Sequence, residues 1–93
     1  MATFLTIHRS PGLSVEEIQG NAPLVVESTY ASFRDLYVNL DAGFIVSIYE
    51  ADDKAALERE FERVGFPWEE IQEIQFSTDA AGLRAMLQAG SPA

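Results

Sequence analysis

The chain has 93 residues, 47% of them hydrophobic and 23% charged, a size and balance that predict one folded domain with a single core. It contains no cysteine, which excludes a disulfide framework, a thiolate metal site and a thiol nucleophile. Fifteen acidic residues against six basic ones give a formal net charge of −9, which repels nucleic acid and anionic membrane surfaces, so neither is expected as a partner.

The first third of the chain predicts a strand followed by a helix. Residues 3–9 alternate in polarity, as a strand at a sheet surface does. Ser14 and Glu17 have the spacing of a capping box, which starts a helix. Pro23 removes a helical hydrogen bond, so we expect this helix to be broken, with a second half that extends to Phe33.

A β-hairpin and a second helix are predicted next. Residues 36–40 and 44–50 both alternate in polarity, and the Asp-Ala-Gly sequence between them supplies a turn. Two aspartates at positions 52 and 53 favour the N-terminus of a helix. Gly65 has the position of its left-handed last residue, and Pro67 prevents the helix from continuing. We therefore predict a positive φ at Gly65.

The chain ends on a predicted strand over residues 71–76 and an added helix over residues 78–89 that Gly90 terminates. The order β-α-β-β-α-β followed by this helix predicts an α+β sandwich of ferredoxin-like type. In such a sandwich two main helices cover one face of a four-stranded antiparallel sheet and leave the other face open. We expect residues 1–93 to form this single domain.

The uncovered sheet face is the predicted functional surface. We expect an apolar set to face the helices: Leu5, Ile7, Leu36, Val38, Leu40, Val46, Ile48, Ile74 and Phe76. The opposite set mixes aromatic and hydrogen-bonding groups. It is more apolar than an ordinary solvent-exposed surface and more polar than a core, which is typical of an interaction surface. Its candidate residues for a dimer interface or a ligand cleft are His8, Tyr37, Asn39, Ser47, Tyr49 and Glu73.

Two segments carry a family resemblance. They are Ser47-Ile48-Tyr49-Glu50-Ala51 at the end of a strand and Arg63-Val64-Gly65-Phe66-Pro67 with Glu70-Ile71 after the second helix. Over about residues 4–76 the chain resembles a family of small bacterial ferredoxin-like domains of unknown function, one branch of which is described as nickel-binding. The resemblance implies the same fold, a homodimer, and nickel or another divalent ion as the ligand.

The resemblance also bears on the metal ligands. In the family, cysteine and histidine often stand where this chain has Ser47 and Glu60, and harder oxygen ligands reduce selectivity for nickel. The candidate metal ligands here are Glu60 and His8, the single histidine, two copies of which a two-fold dimer could bring together.

The sequence is compatible with three classes of function. They are a non-catalytic binding protein, a dimeric interaction module without a ligand, and a small enzyme of the dimeric α+β-barrel type with its pocket on the open face. No dinucleotide, phosphate-loop or hydrolase motif is present, so binding is favoured over catalysis. No apolar run reaches the roughly 18 residues of a membrane span, and the first strand begins near Met1, so we expect a cytoplasmic protein.

Overall fold

The computed structural model describes residues 1–89 and shows a four-stranded antiparallel sheet with three helices. The elements are β1 (Ala2–Arg9), α1 (Val15–Val26), β2 (Ser32–Asn39), β3 (Phe44–Ala51), α2 (Lys54–Val64), β4 (Glu70–Ile74) and α3 (Ala80–Ala89). The strand order across the sheet is β2-β3-β1-β4, with every neighbouring pair antiparallel. This arrangement confirms the predicted ferredoxin-like α+β fold. Gly90, predicted to end α3, lies outside the described residues.

The predicted hairpin joins β2 to β3. Its turn is held by the Asn39 side chain, whose oxygen accepts a hydrogen bond from the Ala42 backbone at 3.0 Å. Gly43 follows with a φ of 65°, and a Cβ there would lie 2.6 Å from the carbonyl oxygen of Ser10. Glycine is therefore required at this position both by the backbone angle and by the close approach of the loop after β1.

Helix α1 begins where the capping box predicts but ends earlier than expected. The Ser14 hydroxyl accepts a hydrogen bond from the Glu17 backbone at 3.2 Å. The predicted break is wrong, because Pro23 lies inside a continuous helix, and the predicted extension is also wrong, because Phe33 lies in β2. No residue of α1 is buried, so water can replace the hydrogen bond that proline removes.

Helix α2 begins and ends on local signals that the sequence shows. The Asp53 side chain caps its first turn by accepting a hydrogen bond from the Ala56 backbone at 2.8 Å. Gly65 has a φ of 77°, which confirms the predicted left-handed ending. The backbone N–H groups of Gly65 and Phe66 both donate to the Phe61 carbonyl at 2.8 Å. A carbonyl group at the end of the helix thus has hydrogen-bond partners, as in a Schellman motif.

The core lies between the sheet and α2, and it reverses the predicted orientation of three strands. Phe4 of β1 and Tyr49 of β3 are buried with Leu57 and Phe61 of α2. On β4, which ends at Ile74 and not at residue 76, the buried residue is Ile71. Five members of the apolar set predicted to face the helices lie on the open face instead, as the strand register requires: Leu5, Ile7, Val46, Ile48 and Ile74.

The orientation was mispredicted because both sides of β1 and β3 carry apolar residues. The side that faces the helices also carries Thr6, His8 and Ser47, whose polarity indicates exposure. These three side chains hydrogen-bond to one another, which allows their burial. Strand β2 follows the prediction, since Val38 lies opposite the buried Ile45.

Candidate functional site

Three polar side chains form a cluster within the core, which we call the buried polar cluster: Thr6, His8 and Ser47, each fully buried. Strand β1 places Thr6 and His8 two residues apart on the same face, and β3 places Ser47 opposite Thr6. The His8 Nε2 atom lies 2.8 Å from the Thr6 Oγ1 and 3.2 Å from the Ser47 Oγ. The two hydroxyl groups also hydrogen-bond to each other.

The loop after α2 completes the bonding of the histidine. The His8 Nδ1 lies 2.9 Å from the carbonyl oxygen of Pro67. Because a carbonyl oxygen only accepts, Nδ1 carries the proton and donates it, and Nε2 is left to accept from a hydroxyl. Both ring nitrogens are therefore engaged within the protein.

Aromatic rings enclose His8 on two sides. The Phe66 ring stacks on it with a centroid distance of 3.7 Å and an interplanar angle of 6°, and the Phe61 ring meets it edge-on at 4.9 Å. Burial disfavours the charged imidazolium and lowers the pKa of His8, while the hydrogen bond to the Pro67 carbonyl opposes this in part. His8 is thus held as a neutral core residue.

The buried polar cluster contains the parts of a nucleophile and base pair, a serine hydroxyl beside a histidine nitrogen whose other nitrogen is oriented by an acceptor. Its members have no exposed surface, however, so a substrate has no access to the Ser47 hydroxyl. The arrangement that the structure shows stabilises the core and orients the loop at Pro67.

A second buried ionisable group, Glu60, lies on α2. Its carboxylate accepts hydrogen bonds from the Tyr30 backbone at 2.8 Å and from the Arg63 guanidinium at 2.5 Å and 3.3 Å. Burial opposes ionisation of this group, but the hydrogen bonds from Arg63 and from the backbone outweigh it, so the pKa of Glu60 is lowered.

Arg63 extends this ion pair to α1. Its guanidinium donates to the Glu27 carboxylate and to the Leu24 carbonyl, each at 2.9 Å. We call this group, Glu27, Glu60, Arg63 and the Leu24 carbonyl, the Arg63 clamp. It fixes the C-terminal end of α1 against α2, although no side chain of α1 is buried.

The Arg63 clamp was missed on the sequence, although a signal for it was present. Positions 57, 60, 61 and 64 lie on one face of a helix, so Glu60 shares the face of Leu57 and Phe61 that packs on the sheet. A carboxylate on an apolar face needs a cation, and Arg63 stands at the i+3 position that supplies one. The spacing therefore predicts a buried ion pair rather than a metal ligand.

Of the six residues predicted for the open face, the register places Tyr37 and Asn39 there. The other four lie elsewhere: His8, Ser47 and Tyr49 are in the core, and Glu73 is exposed on edge strand β4 on the helix-covered side, opposite Phe4. Their predicted placement is wrong, because β1, β3 and β4 face the opposite way. The side-chain oxygen of Asn39 accepts a hydrogen bond within the hairpin turn. Tyr37, 60% exposed, is therefore the predicted residue whose side chain is free to meet a partner on the open face.

The two predicted metal ligands are not brought together with further ligands. His8 bonds within the buried polar cluster and Glu60 within the Arg63 clamp. Among residues 1–89, no group of three or more histidine, cysteine, aspartate or glutamate side chains is arranged to hold a metal ion.

The open face carries an apolar patch at the centre of the sheet. Leu5 lies beside Ile48 and Ile7 beside Val46 on the adjacent strands, and all four side chains are half-buried by their neighbours in the sheet. We define the open face by its apolar residues Leu5, Ile7, Tyr37, Phe44, Val46, Ile48 and Ile74. Charged groups lie at its margin, including the Arg34–Glu50 ion pair at 2.5 Å and Arg9, which stacks over Phe44 at 5.0 Å.

A cavity of about 130 Å³ lies on the other side of the sheet, between α1 and strands β2 and β3. Its lining is Leu13, Ile18, Asn21, Val25, Leu36, Val38, Ile45, Val64, Gly65 and Phe66. The pocket predicted for an enzyme was on the open face, and this cavity lies on the helix-covered face with a lining that has no titratable side chain.

These features define a small ferredoxin-like α+β protein whose uncovered sheet face is apolar at its centre and whose core holds a neutral histidine with both ring nitrogens hydrogen-bonded. The family model described as "Nickel responsive protein SCO4226-like" matches residues 4–74, and the chain belongs to this family. The match confirms the resemblance seen in the sequence and ends before α3. In the described part of the chain, no helix is both long and apolar enough to cross a membrane.

One solved structure extends the comparison. The crystal structure of SCO4226 from Streptomyces coelicolor A3(2) is similar with a TM-score of 0.73 and 23% sequence identity, over 83% of this chain and 100% of that chain. At this identity the likeness shows the fold. No curated protein matches the chain.

Proposed function

We propose that the protein is a small non-catalytic binding protein that works as a homodimer through its open face, with nickel or another divalent ion as its ligand. The observation that carries the homodimer is the apolar patch of Leu5, Ile7, Val46 and Ile48 in the middle of the sheet. Monomeric soluble proteins rarely expose large contiguous apolar patches, and such patches commonly mark interaction sites.

A second copy of the chain suits this surface. Two sheets pack face to face about 10 Å apart when their facing side chains are apolar, and burial of such surface stabilises the contact by roughly 25 cal/mol per Å². Charged groups at the margin, such as Arg9 and the Arg34–Glu50 pair, give the patch the polar rim that interfaces have. In a two-fold dimer each of these residues is used twice.

The family and the charge of the chain support the divalent ion. The matching family is described as nickel responsive, and a net charge of −9 attracts cations. The chain has fifteen carboxylates, no cysteine and one histidine, whose ring nitrogens are engaged in the core. The ligands offered to an ion are therefore mainly carboxylate oxygens, which select weakly among transition metals.

The homodimer is tested by sedimentation of the purified protein at micromolar concentration. We expect a dimer for the original chain and a monomer for Ile48→Glu, because a carboxylate in the centre of the open face would be buried without a partner. Glu58→Ala on α2 is the control and should sediment as the original chain does. A monomeric original chain would contradict the proposal, and the circular dichroism spectrum of Ile48→Glu should match that of the original chain if the variant keeps its fold.

The ligand is tested by calorimetric titration of tag-free protein with nickel chloride and, in parallel, cobalt chloride. We expect saturable binding of both ions, with affinities within about tenfold of each other because carboxylate ligands discriminate weakly between them. A dimer that gives no saturable heat with either ion would instead be a ligand-free interaction module.

A further inference from the structure

Helix α1 lies over the sheet without closing on it. None of its residues is buried. Ile18, Asn21 and Val25 lie on one side of the helix and line the cavity of about 130 Å³ between α1 and strands β2 and β3. Protein interiors hold few voids larger than a water molecule, so a space of this size is not ordinary packing.

Contacts at both ends of α1 keep this space open. Before the helix, the Ser10 N–H group donates to the Gly43 carbonyl at 2.8 Å, which ties the loop after β1 to the hairpin. After it, the Arg63 guanidinium donates to the Glu27 carboxylate and to the Leu24 carbonyl, each at 2.9 Å. Moving α1 onto the sheet to fill the cavity would strain or break these hydrogen bonds, so the fold itself maintains the cavity.

The chemistry of the lining indicates what the cavity can hold. Its one polar side chain is Asn21, whose amide nitrogen already donates to the Glu17 carbonyl at 3.1 Å. The other side chains of the lining are aliphatic, apart from the Phe66 ring. A buried water molecule needs about two to four polar partners, which such walls do not offer. An uncharged apolar molecule is the better occupant, because it brings no polar group that would be left unpaired.

The volume limits the occupant to about one ring. Pockets for drug-sized ligands measure roughly 300–1,000 Å³, so this cavity is too small for them and for a helix or strand of a partner protein. It is close in size to an engineered apolar cavity of about 150 Å³ that stays dry and binds benzene. The exposed residues of the lining, Asn21 and Gly65, mark the side from which a molecule enters.

We propose that this cavity is a binding site for a small uncharged apolar molecule about the size of a single aromatic ring. Such a ligand is distinct from a divalent ion, because the lining has no titratable side chain. The site does not depend on the homodimer, since the open face is the other side of the sheet. The bound molecule contacts Phe66, whose ring stacks on His8 at 3.7 Å, so occupancy supports the core beside the buried polar cluster.

Titration of the isotope-labelled protein with benzene, followed through its backbone amide resonances, tests the site. We expect saturable shifts confined to residues of the lining, such as Ile18, Val38 and Gly65, with a dissociation constant of about 1 mM. Benzoate carries the same ring with a charge and should bind at least about tenfold more weakly, because the cavity offers its carboxylate no partner.

Two neighbouring residues of α1 give a matched pair of variants. Val25→Phe places a ring in the cavity and should weaken benzene binding about tenfold or more. Val26→Phe makes the same change at a residue that is 63% exposed and outside the lining, and it should change the dissociation constant by less than about twofold. Val38→Phe fills the cavity from β2 and should act as Val25→Phe does. Circular dichroism should show all three variants folded.

Urea denaturation gives a second readout. A ligand that binds only the folded chain lowers the unfolding equilibrium constant, by about tenfold when its concentration is about ten times the dissociation constant. We expect benzene to produce this decrease in the original chain and in Val26→Phe, and to produce none in Val25→Phe or Val38→Phe.

The same measurements can overturn the site. Benzene shifts that never saturate, or that spread evenly over the chain, would do so. Equal benzene binding by the original chain, Val25→Phe and Val38→Phe would also refute it, as would benzoate binding as tight as that of benzene.

Discussion

Arg63→Met is expected to lower the free energy of unfolding by about 3 kcal/mol, because it leaves the buried Glu60 carboxylate without its counter-charge. Methionine keeps the volume of the arginine stem, so the loss reports the missing charge and hydrogen bonds rather than a cavity. Urea denaturation at pH 7 measures it. Arg59→Met, an exposed arginine on the same helix that stacks on Tyr30 at 4.4 Å, is the matched control and should cost less than about 1 kcal/mol.

A double-mutant cycle separates the charge from the packing. Glu60→Gln keeps an oxygen that accepts from the Tyr30 backbone and removes the carboxylate. Combined with Arg63→Met it should therefore cost less than the sum of the two single substitutions, with a coupling of about 1 kcal/mol or more. Additive losses, or equal losses for Arg63→Met and Arg59→Met, would show that Glu60 does not depend on Arg63.

The Glu60–Arg63 ion pair also determines how the free energy of unfolding changes in acid. The folded-state pKa of Glu60 lies below its ordinary value, so the stability that its ionisation contributes is complete above about pH 4.3, the pKa in the unfolded chain. It is lost as the pH falls through the folded-state pKa. In Arg63→Met the guanidinium no longer lowers the pKa of Glu60. The free energy of unfolding of this variant should therefore decrease less between pH 7 and acidic pH than that of the original chain.

The element order was predictable because its signals are local. Ser14 with Glu17 sets the start of α1, and Gly65 followed by Pro67 sets the end of α2, each within four residues. The end of α1 was not predictable in this way. Its C-terminal part depends on contacts from Arg63, 36 and 39 residues away from Glu27 and Leu24.

The faces of the sheet were mispredicted because long-range bonds decide them. The polarity of His8 predicts an exposed side chain. It is buried because its ring nitrogens hydrogen-bond to Ser47 and to the Pro67 carbonyl, which are 39 and 59 residues away in the sequence. Hydrophobic alternation cannot reveal such partners when both sides of a strand are apolar. The existence of an open face was nevertheless predictable from the fold, since two helices cover only one side of the sheet. The residues on that face were not, because the orientation of three strands was predicted wrongly.

His8→Phe carries the second large effect and tests the role of the buried polar cluster. Phenylalanine keeps an aromatic ring between Phe61 and Phe66, but it removes the donor to the Pro67 carbonyl and the nitrogen that accepts a hydroxyl proton from the Thr6–Ser47 pair. We expect a loss of about 2–4 kcal/mol in the free energy of unfolding, since buried groups that lose their hydrogen-bond partners cost about 1–3 kcal/mol each and relax in part. Urea denaturation at pH 7.5 measures this loss, and Glu58→Ala serves as the control.

The pH dependence of the same variant identifies the titrating group. The folded-state pKa of His8 is lowered, so between that value and the unfolded-state pKa of about 6.5 the unfolded chain binds a proton that the folded chain does not. The stability of the original chain is therefore complete above about pH 6.5 and decreases as the pH falls below it, by up to about 1.4 kcal/mol per pH unit until the folded-state pKa is reached. His8 is the single histidine, so urea midpoints between pH 7.5 and pH 5.5 report mainly on this residue. His8→Phe should remove that slope, and an original chain whose stability is flat over this interval would show that its histidine is not held neutral by the core.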